Sequence, residues 1–205
     1  MRNSIKNKIF ARICGHGRGW TFSAFDFQGD FKRYEIDATL SSLWKENKIR
    51  RICRGIYDYP VFSTILQRNA APDINAAAAA LARKFRWVIY PTGDTALNYF
   101  GISTQIPGRT IYLTDGPTRK FNLNCGILEF KHSAQREMVF KYPESALVVQ
   151  GIRALGRERI NPEIQKAFHQ KFDGDFWQKI KTDTAAVSGW IYEIISDIAG
   201  GERTI

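Results

Sequence analysis

Apolar residues recur at helical spacing over two stretches near the start of the chain. Ile9 and Ile13 lie about one turn apart, and Ser4 is a typical N-cap residue, so this pattern predicts a helix that begins near Ile5. Between residues 36 and 44, apolar side chains recur at i, i+4, i+7 and i+8. That spacing predicts another helix of about four turns with one face in a core.

Shorter elements are predicted on either side of this second long helix. Trp20 and Phe22 alternate with a polar residue and indicate a short strand, after which the pair Ser23 and Asp26 resembles a capping box that opens a short helix. Residues 49–52 and 56–59 read as two strands with Gly55 in the turn between them. The order helix, strand, short helix, helix, hairpin predicts a winged helix-turn-helix over residues 1–66.

Residues 67–205 have the pattern of a second, mixed α/β domain. Alanine-rich residues after Asp73 predict a helix, and strands are predicted at 87–90, 110–114, 120–123 and 126–131. Helices are predicted at 92–98, 144–155 and 162–172, and a last one from about Thr184 carries a wide apolar stripe. We expect that stripe to dock on its own domain, the alternative being a partner-binding surface. The whole chain is therefore predicted to be α+β, with a small C-terminal sheet flanked by helices.

The charge of the chain points to a polyanionic partner. Its 205 residues contain 30 Lys and Arg against 20 Asp and Glu, a net charge of +10. Residues 1–62 hold 12 of these basic residues and 6 of the acidic ones, so +6 belongs to the predicted winged helix. Nucleic acid is favoured over membrane, because no apolar run approaches the ~20 residues of a membrane span and no long basic amphipathic helix is predicted.

Helical geometry assigns the candidate DNA-binding residues. With the apolar stripe of the second long helix turned inward, its opposite face is available to the major groove, and its N-terminal end is nearest the bases. Adjacent residues of a strand point to opposite faces, so at most one of Arg50 and Arg51 is expected to face DNA, while Arg54 occupies the wing tip. A winged helix used only for protein contacts is the alternative. The residues expected to contact DNA are Arg18, Lys32, Arg33, Tyr34, Ser41, Ser42, Lys45, Arg50, Arg51 and Arg54.

Two blocks of sequence resemble one known family. Residues 40–43 (LSSL) with 49–60 (IRRICRGIYDYP) resemble the winged-helix end of AbiEi-type antitoxins, the antitoxin halves of type IV toxin–antitoxin pairs. Residues 91–98 (PTGDTALN), followed by Pro107 and residues 112–116 (YLTDG), resemble the start of the C-terminal domain in that family. The resemblance covers roughly residues 1–135.

This resemblance implies a role with two parts. The N-terminal domain would bind inverted repeats in double-stranded DNA of its own promoter and repress the operon. The C-terminal domain would counter a nucleotidyltransferase-type toxin encoded beside it. A plain winged-helix regulator without an antitoxin role is the alternative, and in either case a cytoplasmic location is expected.

A metal-dependent nuclease is the enzymatic alternative. Asp115, Glu129 and Lys131 have the order of a nuclease core in which two carboxylates hold a divalent ion and a lysine orients water. Asp115 nevertheless lies in an Asp-Gly-Pro turn signature, and so short a pattern recurs by chance. The three cysteines and three histidines lack metal-ligand spacing. We therefore expect no enzymatic activity, no catalytic residue, no metal site and no cofactor.

Overall fold

A computed structural model of the chain describes residues 4–104, 108–133 and 140–200. The chain divides into two compact units: Met1–Trp87 with Lys120–Leu128, and Val88–Arg119 with Glu129–Ile205. The fold is α+β, with small sheets and flanking helices, as predicted. Pro107, part of the second block of family resemblance, lies outside the described residues.

The first unit contains the predicted order of elements. These are α1 (Ile5–His16), β1 (Thr21–Phe22), a 3-10 helix (Ala24–Phe27), α2 (Arg33–Lys45), β2 (Arg50–Cys53) and β3 (Ile56–Asp58). The three strands form a sheet in the order β1-β3-β2, and both pairings are antiparallel. The helix pair followed by a β2–β3 hairpin is the arrangement that the sequence predicted.

Local side-chain chemistry explains where these elements begin and turn. The hydroxyl of Ser4 accepts a hydrogen bond from the backbone N–H of Asn7, so it caps α1. Ser23 and Asp26 form the predicted capping box, although the helix they open is a single 3-10 turn. Gly55 has a φ of 77°, which allows the tight turn of the hairpin without a Cβ clash.

The core of this unit is built from the apolar stripes of its two long helices. Ile9 and Ile13 of α1 meet Ile36, Leu40 and Leu43 of α2 in one buried cluster. Phe22 and Phe27 complete that cluster, with their rings edge to face and their centroids 5.7 Å apart. Burial of these side chains on one side of α2 fixes which of its faces is left for solvent or a ligand.

The first unit extends beyond residue 66, the domain boundary that the sequence pattern predicts. After a small hairpin of β4 (Phe62–Ser63) and β5 (Arg68–Asn69), α3 (Ile74–Phe85) begins at its N-cap Asp73. Arg83 in the last turn of α3 donates to Asp26 Oδ1 at 2.7 Å and to the Thr21 carbonyl at 2.8 Å. These bonds join α3 to the elements of the winged helix, and the first of the two segments that make up this unit ends at Trp87.

The remaining described elements are a small sheet and five α-helices. The sheet residues 120–128 belong to the first unit, and the other sheet residues and the five α-helices belong to the second. The strands are β6 (Ile89–Pro91), β7 (Arg109–Thr114), β8 (Arg119–Leu123) and β9 (Gly126–His132), arranged in the order β6-β7-β9-β8. The helices are α4 (Asp94–Tyr99), α5 (Pro143–Leu155), α6 (Pro162–His169), α7 (Gly174–Asp183) and α8 (Gly189–Ala199). Two features differ from prediction: α7 was not expected, and α8 begins at Gly189 instead of near Thr184.

Capping explains the unexpected helix, and packing explains the last one. The Asp173 carboxylate accepts a hydrogen bond from the backbone N–H of Phe176 and so caps α7. Gly174 therefore lies in the first turn of this helix. In α8 the apolar stripe that includes Ile191 and Ile195 is buried against α5 and other helices of the same unit, as predicted. Within the described residues, no helix has the length and apolar character needed to cross a bilayer.

Candidate nucleic-acid interface

The outward face of α2 carries four side chains that are suited to a close approach. Tyr34, Ala38, Ser41 and Lys45 lie on the side of the helix opposite its buried apolar stripe. The Tyr34 side chain is 67% exposed, an unusually large value for an aromatic residue in a packed unit. This face presents a ring, a small hydroxyl and a cation in succession along about three turns of helix.

One flank of α2 is joined to the wing by an aromatic residue. The Arg51 guanidinium lies over the Trp44 ring at 5.2 Å from its centroid, in cation–π geometry. Trp44, which the sequence pattern placed with the buried stripe, is 40% exposed, because the stripe is narrower than the pattern suggests. The Asn124 side chain donates to the Arg51 carbonyl at 3.2 Å and supports the strand from behind. Arg51 is thus held beside the outward face of α2.

The other flank of α2 faces α1 and carries Ser42. The Ser42 hydroxyl donates to Glu46 Oε1 at 2.8 Å and accepts from Lys6 Nζ at 3.1 Å. Lys6 also pairs directly with Glu46, and these hydrogen bonds, with that of Lys48, lower the pKa of Glu46 to about 2. Ser42 is therefore engaged in a polar network between the two helices.

Arg50 and Arg51 occupy opposite sides of β2, as strand geometry predicts. Arg50 Nε and Nη2 donate to the two carboxylate oxygens of buried Asp58 at 3.0 and 2.5 Å, and Nη1 donates to the Ala70 carbonyl at 2.7 Å. Asp58 is only 3% exposed, so this bidentate pair is a structural bond between the wing strands. Of the two arginines, only Arg51 is placed beside α2.

The wing tip gathers basic groups from three elements. Arg54 is exposed, and its carbonyl accepts from Lys84 Nζ of α3 at 3.4 Å. Arg33, in the first turn of α2, donates to Asp37 at 2.8 Å. Burial lowers the pKa of Lys84, and the charges of Arg33 and Arg54 lower it further, because a third cation near two others is disfavoured. An anion placed there would relieve this mutual repulsion.

Two further predicted DNA contacts, Arg18 and Lys32, are not among the basic groups of the wing tip. The Arg18 guanidinium lies 4.8 Å from the centroid of the Tyr59 ring and donates to the Pro60 carbonyl at 2.8 Å, so it fastens the turn after α1 to the end of β3. Lys32 precedes α2 with an exposed side chain, and its backbone N–H donates to Glu35.

Sequence reasoning missed Lys84 and Trp44. Lys84 belongs to a helix that the pattern assigns to the C-terminal domain, so the sequence analysis did not connect it with the wing. Trp44 was read as a core residue because its spacing fits the stripe. The sequence contains a signal for each residue. Lys84 forms a basic pair with Arg83 in the last turn of α3, and Trp44 lies at the edge of the apolar stripe of α2.

The residues of the nuclease alternative have separate structural partners. Asp115 Oδ1 accepts from the Val88 backbone N–H at 2.9 Å, whereas Glu129 pairs with Arg109 at 3.6 Å. Lys131 is exposed. Across the described ranges, no group of three or more His, Cys, Asp and Glu side chains is positioned to hold a metal ion.

Comparison with known proteins gives a family and no function. No curated protein matches the chain. A family model described as a family of unknown function (DUF6088) matches residues 8–173, which include the winged helix, α3 and most of the second unit. The chain belongs to this family, DUF6088.

Proposed function

We propose that this protein is a DNA-binding transcriptional autorepressor that also acts as the antitoxin of a type IV toxin–antitoxin pair. The observation that carries the DNA-binding part is the convergence of Arg54, Lys84 and Arg51 beside the outward face of α2. Phosphates bind such clusters, because each cation neutralises backbone charge and releases counterions. The partner we propose is double-stranded promoter DNA with inverted repeats, bound in the cytoplasm.

The outward face of α2 supplies the groups that would read bases. The side chains of Tyr34 and Ser41 lie on the outward face of α2 and form no hydrogen bond within the described residues. Both could therefore contact base edges in the major groove. Lys45, Lys32 and Arg51 flank them and favour phosphate. Ser42, Arg50 and Arg18 stay predicted DNA contacts, but their present bonds support a role in holding the frame.

Changing the base-reading face should alter sequence preference, and changing the wing tip should not. For Ser41→Ala and Tyr34→Ala, we expect the ratio of promoter to random-duplex affinity to fall by about tenfold, since a good base contact is worth ~1–3 kcal/mol of discrimination. For Arg54→Ala, we expect both affinities to fall together. Fluorescence anisotropy with the upstream operon DNA and a shuffled duplex measures both affinities.

The opposite pattern of losses would show that the faces of α2 and the wing are wrongly assigned. Lys166→Ala, on an exposed position of α6 in the second unit, is the matched control for loss of a cation and should leave both affinities unchanged. Equal affinity of the unaltered protein for promoter and random duplex would overturn the repressor proposal itself.

The antitoxin part rests on the resemblance of residues 40–43, 49–60, 91–98 and 112–116 to AbiEi-type antitoxins. It predicts a nucleotidyltransferase-type reading frame beside this gene, whose expression stops growth unless this protein is co-expressed. Growth curves with each gene on its own inducible promoter measure the rescue. A neighbouring gene of another class, or growth arrest that this protein does not relieve, would favour a plain regulator.

A further inference from the structure

A small hairpin projects apolar side chains from the first unit. We call residues 61–69 the apolar hairpin, which consists of β4, β5 and the turn between them. Ile65 at its tip is 92% exposed, Leu66 57% and Phe62 49%. Exposed large apolar side chains that occur together in this way mark interaction surfaces, whereas scattered single ones do not.

Hydrogen bonds hold this hairpin in a defined shape. The backbone N–H of Ala70 donates to the Val61 carbonyl at 2.8 Å, which closes its base. In the turn, Gln67 Nε2 donates to the Thr64 carbonyl at 2.6 Å, and the Ser63 hydroxyl accepts from the Leu66 N–H at 3.1 Å. The polar groups of the turn are thus bonded inward, and Ile65 and Leu66 are left as its outer surface.

The charge of the hairpin favours a second copy of this chain as its binding partner. Residues 61–67 contain no ionisable side chain, in a protein whose net charge is +10. Two copies repel one another over most of a surface so rich in cations. At the apolar hairpin, two copies can approach one another without like charges facing each other, apart from Arg68. A nucleic-acid partner, in contrast, would find few cations on this segment.

The backbone of the hairpin favours the same binding partner. Strands β4 and β5 pair only with each other in the described part of the chain, so each has an open outer edge. A two-stranded ribbon of this length is at best marginally stable alone in water, and further strands stabilise it. An identical ribbon supplies matching strand length and a matching apolar face.

The hairpin also lies at the end of the wing strands opposite the wing tip. It follows Pro60, beside the Arg50–Asp58 pair at the start of β2, whereas Gly55 and Arg54 form the turn at the other end of the same strands. A partner on the hairpin is thus separated from Arg54 by the length of β2.

We propose that the apolar hairpin is a self-association surface, where two copies of the chain pack their hairpins together about a two-fold axis. Each copy contributes four exposed apolar residues, Val61, Phe62, Ile65 and Leu66. So few side chains bury less than the ~800 Å² per partner of a standard interface, so we expect a weak dimer with a dissociation constant in the micromolar range. This pairing does not depend on the proposed function. If that function holds, the dimer presents two DNA-reading faces to an inverted repeat.

Sedimentation velocity of the full chain without DNA, over a wide range of protein concentrations, tests the dimer. The unaltered protein should shift from monomer to dimer as its concentration rises through the micromolar range. Ile65→Asp should raise the dissociation constant by about tenfold or more, because a charge replaces an isoleucine that each copy buries. Ile65→Leu, which keeps an apolar tip, should dimerise like the unaltered chain.

A charge-matched control separates this surface from a general effect of added negative charge. Gln170→Asp, at an exposed position in the second unit, should leave the dissociation constant unchanged. Raising the salt concentration should leave the dimer intact or strengthen it, since apolar contacts are not screened. A chain that stays monomeric throughout, an Ile65→Asp protein that dimerises normally, or a dimer that dissociates in high salt would each overturn the proposal. None of these outcomes bears on promoter binding by the wing and α2.

Discussion

Replacing Arg50 with alanine is expected to destabilise the first unit by about 3 kcal/mol, whereas the same change at Arg51 costs less than about 1 kcal/mol. Arg50 makes two hydrogen bonds to buried Asp58 and one to the Ala70 carbonyl, all of which the substitution removes. It also leaves the Asp58 carboxylate buried without its charge partner, a change worth ~3–5 kcal/mol in fully buried pairs. The lower end applies because the Arg50 side chain is 26% exposed.

Urea unfolding of the full chain, followed by tryptophan fluorescence and far-UV circular dichroism, measures this difference. With a typical dependence on urea of ~1–3 kcal/mol per molar, the unfolding midpoint of Arg50→Ala should fall by about 1 M or more. The Arg51→Ala protein should unfold almost normally, because the contact that it loses is a cation–π contact with the exposed Trp44 ring. Arg51→Ala should instead lose promoter affinity.

A double-mutant cycle shows whether Asp58 is the cause. If the ion pair accounts for the loss, Arg50→Ala combined with Asp58→Ala should cost clearly less than the sum of the two single changes. A normally stable Arg50→Ala protein with impaired DNA binding would contradict this account and assign Arg50 to the interface.

Promoter affinity is expected to fall by about 500-fold between 50 and 200 mM salt. The proposed DNA interface contains five basic residues that we expect to neutralise phosphates: Lys32, Lys45, Arg51, Arg54 and Lys84. Each phosphate contact contributes a slope of ~0.9 in a plot of log affinity against log salt, so five give a slope of about −4.5. Titrations of promoter duplex at a series of salt concentrations measure this slope directly.

Substitution of Lys84 is the most informative test in this measurement, because Lys84 was assigned to the proposed interface from the structure and not from the sequence. Lys84→Gln should reduce the magnitude of the slope by about 0.9, as should Arg54→Gln. Lys166→Gln, in the second unit, is the control and should keep the full slope. A slope near zero for the unaltered protein would remove the electrostatic basis of the proposed function, and an unchanged slope for Lys84→Gln would exclude Lys84 from the interface.

Sequence patterns predicted the elements from α1 to β3 well because these elements are defined by near neighbours. The helical spacing of Ile36, Leu40 and Leu43 and the capping pair of Ser23 and Asp26 each involve residues within a few turns of one another. The turn at Gly55 requires a residue that tolerates a positive φ, which a single letter in the sequence reveals. Prediction was weaker at α7, for which the sequence pattern assigned no element and whose N-cap is Asp173.

The roles of the candidate site residues were harder to predict. Arg50, Ser42 and Arg18 are residue types common in DNA-binding surfaces. Each, however, forms hydrogen bonds within the protein that no local sequence pattern predicts. Ser42, for example, accepts a hydrogen bond from Lys6, 36 residues away. Lys84 reaches the carbonyl of Arg54 across 30 residues. Such pairings depend on how the helices pack, and packing involves many residues at once.

By itself, the sequence determined the α+β class, the order of elements in the winged helix, the basic charge of its N-terminal third and the inward face of α2. Tertiary structure alone decided that Asp58 engages Arg50 while Arg51 stays beside α2, that α3 completes the first unit, and that Lys84 joins the wing tip. The reason is physical: periodicity and caps act over a few residues of chain, whereas ion pairs and exposed faces arise only when distant segments are packed together.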